Sequence, residues 1–99
     1  MTAREKEIQE KVVGLLRRYL NPKKIYLFGS RAKGIHRPGS DFDFAVDCEK
    51  PSDDQRREIE GMIEAVSGLY TVDVVYLPQV DDDFRDVILK TGRVLYEQR

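Results

Sequence analysis

Apolar side chains recur along this chain at two spacings, and the wider spacing predicts helices. From Thr2 to about Tyr19 they return every three or four residues, which is the period of an amphipathic helix. Thr2 and Glu5 have the spacing of a capping box at its start. Three more helical segments follow: a short turn over residues 31–34 capped by Ser30, one from Ser52 to Gly68, and one capped by Asp83 and ended by Gly92.

The narrower spacing predicts strands between these helices. The segments KKIYLFG, DFDFAVD and YTVDVVYLP are short, rich in apolar residues and bounded by turn residues, while RVLYE is a short final strand or an extended tail. Helices that separate strands favour an α/β or α+β fold, here a small mixed sheet with helices packed on one face. We expect residues 1–99 to form a single domain.

Composition narrows the function classes. The chain has 99 residues, 35% of them charged, and a net charge of −1, so no overall basic field favours nucleic acid, which is an unlikely partner. No apolar run approaches the roughly 20 residues of a membrane span, and the first ten residues are too charged for a signal peptide. The single Cys48 cannot form an internal disulfide and is interpreted as a packing residue of a cytoplasmic protein.

Two aspartates interrupt the second strand on the face opposite its phenylalanines. Asp41 and Asp43 project from the same side, roughly 6.5–7 Å apart. Like charges at that separation repel, and Mg²⁺, which prefers carboxylate and phosphate oxygens, would relieve the repulsion. Pairs of such ions serve phosphoryl transfer. Asp73 interrupts the third strand in the same way, and we expect it to supply a third carboxylate.

A glycine–serine corner ends the first strand. Gly29 permits close approach of a phosphate, and the hydroxyl of Ser30 can donate to a phosphate oxygen. Arg31, Lys33 and Arg37 add positive charge nearby. The sequence therefore predicts a nucleotide phosphate site at Gly29, Ser30, Arg31 and Lys33, next to a metal site at Asp41, Asp43 and Asp73.

Other polar residues are explained without a catalytic role. His36 lies in the loop between the corner and the second strand, where a solvated side chain is the ordinary state. The acidic run at residues 81–83 is typical of a loop and helix cap, and Asp47 lies at the far end of its strand. Aspartates on the polar face of a strand also occur for structural reasons, so a structural α/β module with fortuitous aspartates is an alternative.

The combination of Gly29-Ser30, a gap of ten residues, and Asp41-x-Asp43 resembles the hallmark of nucleotidyltransferases of the DNA polymerase β superfamily. Asp73 matches the third acidic residue on a later strand. Within the superfamily the chain resembles the minimal nucleotidyltransferases (MNT) of HEPN/MNT toxin–antitoxin pairs, and the likeness covers nearly its whole length. The resemblance implies a polymerase β palm-like fold and an active catalytic site.

The resemblance also implies a reaction. ATP would bind at Gly29 and Ser30, with two Mg²⁺ held by Asp41, Asp43 and Asp73, and AMP would pass to a tyrosine of a partner HEPN ribonuclease toxin, which would be silenced. Larger relatives carry an extra domain for the acceptor, and a partner protein would replace that domain here. Two alternatives share the fold: an antitoxin that acts by binding alone, and a transferase that modifies a small molecule or an RNA end.

Overall fold

A computed structural model describes residues 1–37 and 39–99. Within these residues, four helices and four strands follow one another, with a short 3-10 turn after the third strand. Their bounds are α1 (Ala3–Leu20), β1 (Lys24–Phe28), α2 (Ser30–Lys33), β2 (Phe42–Val46), α3 (Asp53–Ser67), β3 (Val72–Tyr76), the turn Leu77–Gln79, α4 (Asp82–Thr91) and β4 (Arg93–Glu97). Among these described residues, no helix has the length and apolar character to cross a membrane.

Helix starts follow local side-chain chemistry. The capping box of α1 is confirmed, because the Thr2 hydroxyl accepts from the Glu5 amide and the Glu5 carboxylate accepts from the Thr2 amide. Ser52 caps α3 as predicted. Two predicted caps are wrong by one or two positions. Ser30 is the first residue of α2 rather than its cap, and α4 is capped by Asp81, whose carboxylate accepts from the amide of Phe84 at 2.8 Å.

The sheet is mixed, with the strand order β3-β2-β1-β4. Strands β2 and β3 are parallel and are joined by the crossover helix α3, whereas β1 is antiparallel to both of its neighbours, β2 and β4. The C-terminal segment, for which the sequence left a strand or a tail open, is a true strand. This topology brings the end of β1 and the starts of β2 and β3 together at the same end of the sheet.

The larger part of the core lies on one face of the sheet, beneath α1 and α3, as predicted. Side chains that alternate along β1 and β2 meet the apolar stripes of the two helices here. The buried members of this cluster are Ile8, Val12, Leu16, Ile25, Leu27, Phe42, Phe44, Val46, Ile59, Ile63 and Tyr76. Burying side chains of this size contributes about 1.5–3 kcal/mol each, which makes this face the main source of stability.

The opposite face carries a smaller apolar cluster that the sequence did not reveal. Tyr26 and Ala45 are register partners on β1 and β2, and they pack with Leu77 and with Ile88 of α4. Helix α4 therefore covers part of the face that also carries the aspartates. The prediction of helices on one face holds for α1 and α3, and α4 adds partial cover to the other.

Candidate active site

Two aspartates predicted from separate strands lie side by side. Asp43 is the second residue of β2 and Asp73 the second of β3, and the parallel register pairs them directly. Residues paired in this way share a face of the sheet. Asp73 is exposed, while Val72 and Val74 on either side of it pack against the main core, as the alternation predicted.

The glycine–serine corner reaches the same place from β1. Phe28, the last residue of β1, is the register partner of Asp43, so the next residue, Gly29, lies against the Asp43 side chain. A Cβ atom at position 29 would be 2.6 Å from Oδ2 of Asp43, far inside van der Waals contact. Gly29 also has φ 74° and ψ −154°, a conformation open essentially to glycine alone. Glycine is therefore required here for two reasons: only glycine readily adopts this backbone conformation, and the Asp43 carboxylate leaves no room for a Cβ atom.

The environment of Asp43 disfavours its ionised form. Burial raises the pKa of Asp43, and the nearby charges of Asp73 and Asp41 raise it further. Asp43 is half-buried, whereas Asp41 and Asp73 are exposed. Asp41 directly precedes β2 instead of opening it as predicted. The site is thus a concentration of negative charge that favours either a proton or a cation.

The aspartate carboxylates suit a magnesium ion that is bound together with a substrate. Among the residues that the structure describes, no three acidic, histidine or cysteine side chains are grouped closely enough to enclose a metal by themselves. Mg²⁺ is bound mainly in the other manner, by one or two carboxylates together with substrate phosphates and water. A carboxylate pair such as Asp43 and Asp73, open to solvent on one side, matches that requirement.

Of the four residues predicted to contact nucleotide phosphates, three lie at the corner in accessible positions. Gly29, which lies against Asp43, and Ser30 are half-buried, and Lys33 is exposed at the end of α2. The guanidinium of Arg31 lies elsewhere. It is buried beneath the corner, where it binds Glu5 at 2.9 Å and the carbonyl oxygen of Ser40 at 2.6 Å. The structure does not bring this cation to the phosphate side of the site.

An open groove of about 1,020 Å³ runs past Asp43 and Asp73 and around the exposed edge of β3. Phe28 and Phe84 form one side of it, with ring centroids 5.7 Å apart in an edge-to-face arrangement. Sequence reasoning missed Phe84, because nothing in the pattern of α4 indicated that its first turn reaches the end of β1. The groove provides room for a substrate beside the carboxylates.

Cys48 is not a nucleophile in this arrangement. Burial and the charges of Asp47 and Glu49 raise its pKa to about 11, so the thiolate is scarce at neutral pH. Its side chain packs against the main core, as the sequence predicted.

Comparisons with known proteins agree with the fold. The family model described as "Polymerase beta, Nucleotidyltransferase" matches residues 10–99. The fold is that of a nucleotidyltransferase, and the chain belongs to this polymerase β nucleotidyltransferase family. A search of curated proteins finds no match.

Solved structures of toxin–antitoxin complexes share the fold. A chain of a toxin–antitoxin complex with AMP-PNP is 26% identical with a TM-score of 0.77, and the alignment covers 92% of this chain and 74% of that one. A chain of an MntA–HpeT toxin–antitoxin mutant is 25% identical with a TM-score of 0.75 and the same coverage, 92% and 74%. The tri-AMPylated Shewanella oneidensis HEPN toxin in complex with MNT antitoxin gives 24% identity and a TM-score of 0.70, over 92% of this chain and 71% of that one, a likeness of fold.

Proposed function

We propose that this protein is a cytoplasmic antitoxin of the MNT type, a single domain over residues 1–99, which transfers AMP from Mg-ATP to a tyrosine hydroxyl of a partner HEPN toxin. The observation that carries the proposal is the direct register pairing of Asp43 with Asp73, beside Gly29. Two carboxylates fixed opposite each other next to a glycine–serine corner can hold a metal-bound triphosphate, and such a pair costs stability when nothing neutralises it.

Each group of the site has a part in the reaction. Gly29 lets the phosphates approach the backbone, Ser30 donates its hydroxyl to a phosphate oxygen, and exposed Lys33 adds positive charge at the end of α2. The carboxylate of Asp73 orients the acceptor hydroxyl and takes its proton. The hydroxyl oxygen forms a bond to the α-phosphorus, the bond from that phosphorus to the β-phosphate bridging oxygen breaks, and pyrophosphate leaves with the electron pair.

Asp41, Asp43 and Asp73 would hold two magnesium ions, whose contribution would be to neutralise the triphosphate and stabilise the charge that develops on it. The raised pKa of Asp43 supports this assignment, because the charges of Asp73 and Asp41 add to the effect of its burial. Asp41 and Asp73 are exposed and thus accessible to a solvated ligand.

The acceptor and the partner are inferred from similar complexes. One of them contains AMP-PNP, and in another the HEPN toxin is tri-AMPylated. The groove along β3 passes both Asp43 and Asp73, so an acceptor carried on another protein could enter from the open edge of the sheet. We expect a hetero-oligomer with the toxin, and no contact with membrane or nucleic acid.

The experiment is transfer of label from ATP to the purified partner toxin. With Mg²⁺, label at the α-phosphate should enter the toxin, label at the γ-phosphate should not, and the toxin's ribonuclease activity should fall in parallel. The variant with Asp41→Ala and Asp43→Ala should fold and lose the transfer. Asp86→Asn is the matched control, because Asp86 is an exposed aspartate on α4, and it should retain full transfer.

Three results would contradict the proposal. Transfer that survives in the double aspartate variant would refute the site. Neutralisation of the toxin without Mg-ATP would favour an antitoxin that acts by binding alone. Label found in a small molecule or an RNA end, with none in the toxin, would reassign the acceptor.

A further inference from the structure

A buried ion pair lies directly beneath the backbone of Ser40 and Asp41, and the proposed reaction does not use it. The guanidinium of Arg31 and the carboxylate of Glu5 are 2.9 Å apart, with 0% and 2% of their side chains exposed. The guanidinium carbon lies 3.9 Å from the ring centroid of Phe42. Isolated charges are not buried at such depth without a compensating arrangement, so this cation is held in place from several sides.

The remaining hydrogen bonds of Arg31 go to the backbone of Ser40 and Asp41. Its Nε donates to the carbonyl oxygens of Ser40 at 3.1 Å and Asp41 at 3.3 Å, and its Nη2 donates to Ser40 at 2.6 Å. On the other side, the amide of Phe42 donates to the carbonyl of Thr71 at 2.9 Å. The Asp41 backbone is therefore fixed between Arg31 and the segment that leads into β3.

We propose that Arg31 and Glu5 are positioning residues that hold Asp41 beside Asp43 for metal–nucleotide binding. The catalytic consequence rests on the proposed function, but the positioning itself does not. Arginine is suited to this role, because its planar fork reaches two carbonyls and a carboxylate at once, which the single ammonium of lysine cannot do in the same geometry. Glu5 is itself fixed by the capping box at the start of α1, so the first turn of α1 supports Arg31 and, through it, the backbone of Ser40 and Asp41.

The positioning is tested without any substrate, by amide NMR of the whole chain. In Arg31→Met, the amides of Ser40 and Asp41 should become mobile, with order parameters below about 0.6, while Phe44 to Val46 in β2 stay rigid. The variant with both Glu5→Gln and Arg31→Met lacks both charges of the buried pair and keeps a glutamine for the capping box, so it remains informative if Arg31→Met alone does not fold. Arg57→Met is the matched control, since that arginine is exposed and pairs with Asp54 on the surface.

Kinetics then test the consequence. In Arg31→Met the transfer rate kcat should fall by about 10²-fold, as expected for a misplaced catalytic group, with a smaller change in KM for ATP. Arg31→Lys should not restore kcat, although it restores the charge. An Asp41 amide that stays as ordered as in the wild type in both methionine variants would overturn the inference. A mobile Asp41 in those variants, together with a wild type that transfers no AMP, would support the inference and refute the proposed function.

Discussion

The carboxylate of Asp43 occupies the space that a side chain at position 29 would need. A Cβ atom on Gly29 would come within 2.6 Å of Oδ2 and 3.4 Å of Cγ of Asp43. The backbone at the end of β1 thus packs against a carboxylate at the start of β2, which fixes the position of Asp43 relative to the glycine–serine corner. Any residue other than glycine must displace one of the two.

Gly29→Ala should therefore damage both stability and catalysis. The positive φ alone should lower the free energy of unfolding by about 1–3 kcal/mol, and the contact with Asp43 adds to this. Urea unfolding measures the first effect and AMP transfer the second, and we expect the transfer to be lost.

A double-mutant cycle separates the two causes. With Asp43→Ala already present, Oδ2 is gone, so Gly29→Ala should cost less than it does in the wild type. Gly61→Ala is the control, because Gly61 lies within α3 and a Cβ atom there would meet no heavy atom within 4 Å. This control change should stabilise the protein by roughly 0.5–1 kcal/mol. An equal cost of Gly29→Ala in both backgrounds would show that Asp43 does not press on this position.

Asp43→Asn should increase stability at neutral pH while it abolishes transfer. Removing one of two like charges directly opposite each other on neighbouring strands should raise the free energy of unfolding by roughly 0.2–1 kcal/mol. Because the pKa of Asp43 is raised in the folded state, ionisation opposes folding, and the wild type loses stability as the pH rises above 3.8 and through the folded pKa. The gain from the variant should thus be present at pH 7 and vanish below pH 3.8.

Asp86→Asn controls for the general effect of removing a surface carboxylate, and its effect on stability should stay within about 0.5 kcal/mol. A wild type that is more stable than Asp43→Asn at pH 7 without metal would mean that the charge of Asp43 does not oppose folding. Chemical denaturation in the presence of a chelator, at pH 7 and at pH 3, distinguishes these outcomes.

Glu5 should govern part of the acid unfolding. Hydrogen bonds from the Thr2 backbone and from Arg31 lower the pKa of Glu5 from 4.5 to about 2. Its contribution to stability is therefore complete above pH 4.5 and is lost as the pH falls toward 2. Glu5→Gln should cost about 1.5–3 kcal/mol at pH 7, the range for a hydrogen bond to a charged group.

The measurement is the free energy of unfolding against pH for both proteins. The two curves should converge between pH 4.5 and about 2. Parallel curves over that interval would show that folding does not lower the pKa of Glu5. Glu58→Gln is the control, because Glu58 is an exposed glutamate on α3.

Much of the fold could be predicted from local pattern. The alternation around Asp43 and Asp73 gave the face of each residue correctly, because the period of a strand is set by backbone geometry and not by distant contacts. The parallel pairing that places the two aspartates opposite each other depends on the crossover through α3, which the order of elements indicated but whose register it could not specify. The partial cover by α4 depends on Tyr26 and Ala45 meeting Ile88, contacts between segments far apart in sequence.

The position of the Arg31 side chain could not be predicted from local sequence pattern. Its place in the basic corner predicted a phosphate contact, and the side chain instead turns inward to Glu5, 26 residues earlier in the chain. Glu5 was assigned correctly to the capping box, but a capping role does not reveal a second partner on the other carboxylate oxygen. Long-range ion pairs of this kind leave no periodic signal in a single sequence.

The central claim is that the three aspartates bind a metal–nucleotide complex at the glycine–serine corner. Calorimetric titration of AMP-PNP into the protein, with Mg²⁺ and with a chelator, tests it most directly. We predict binding that requires Mg²⁺ and that is lost in the variant with both Asp43→Asn and Asp73→Asn. Binding of equal strength without Mg²⁺, or unchanged binding in that variant, would contradict the claim.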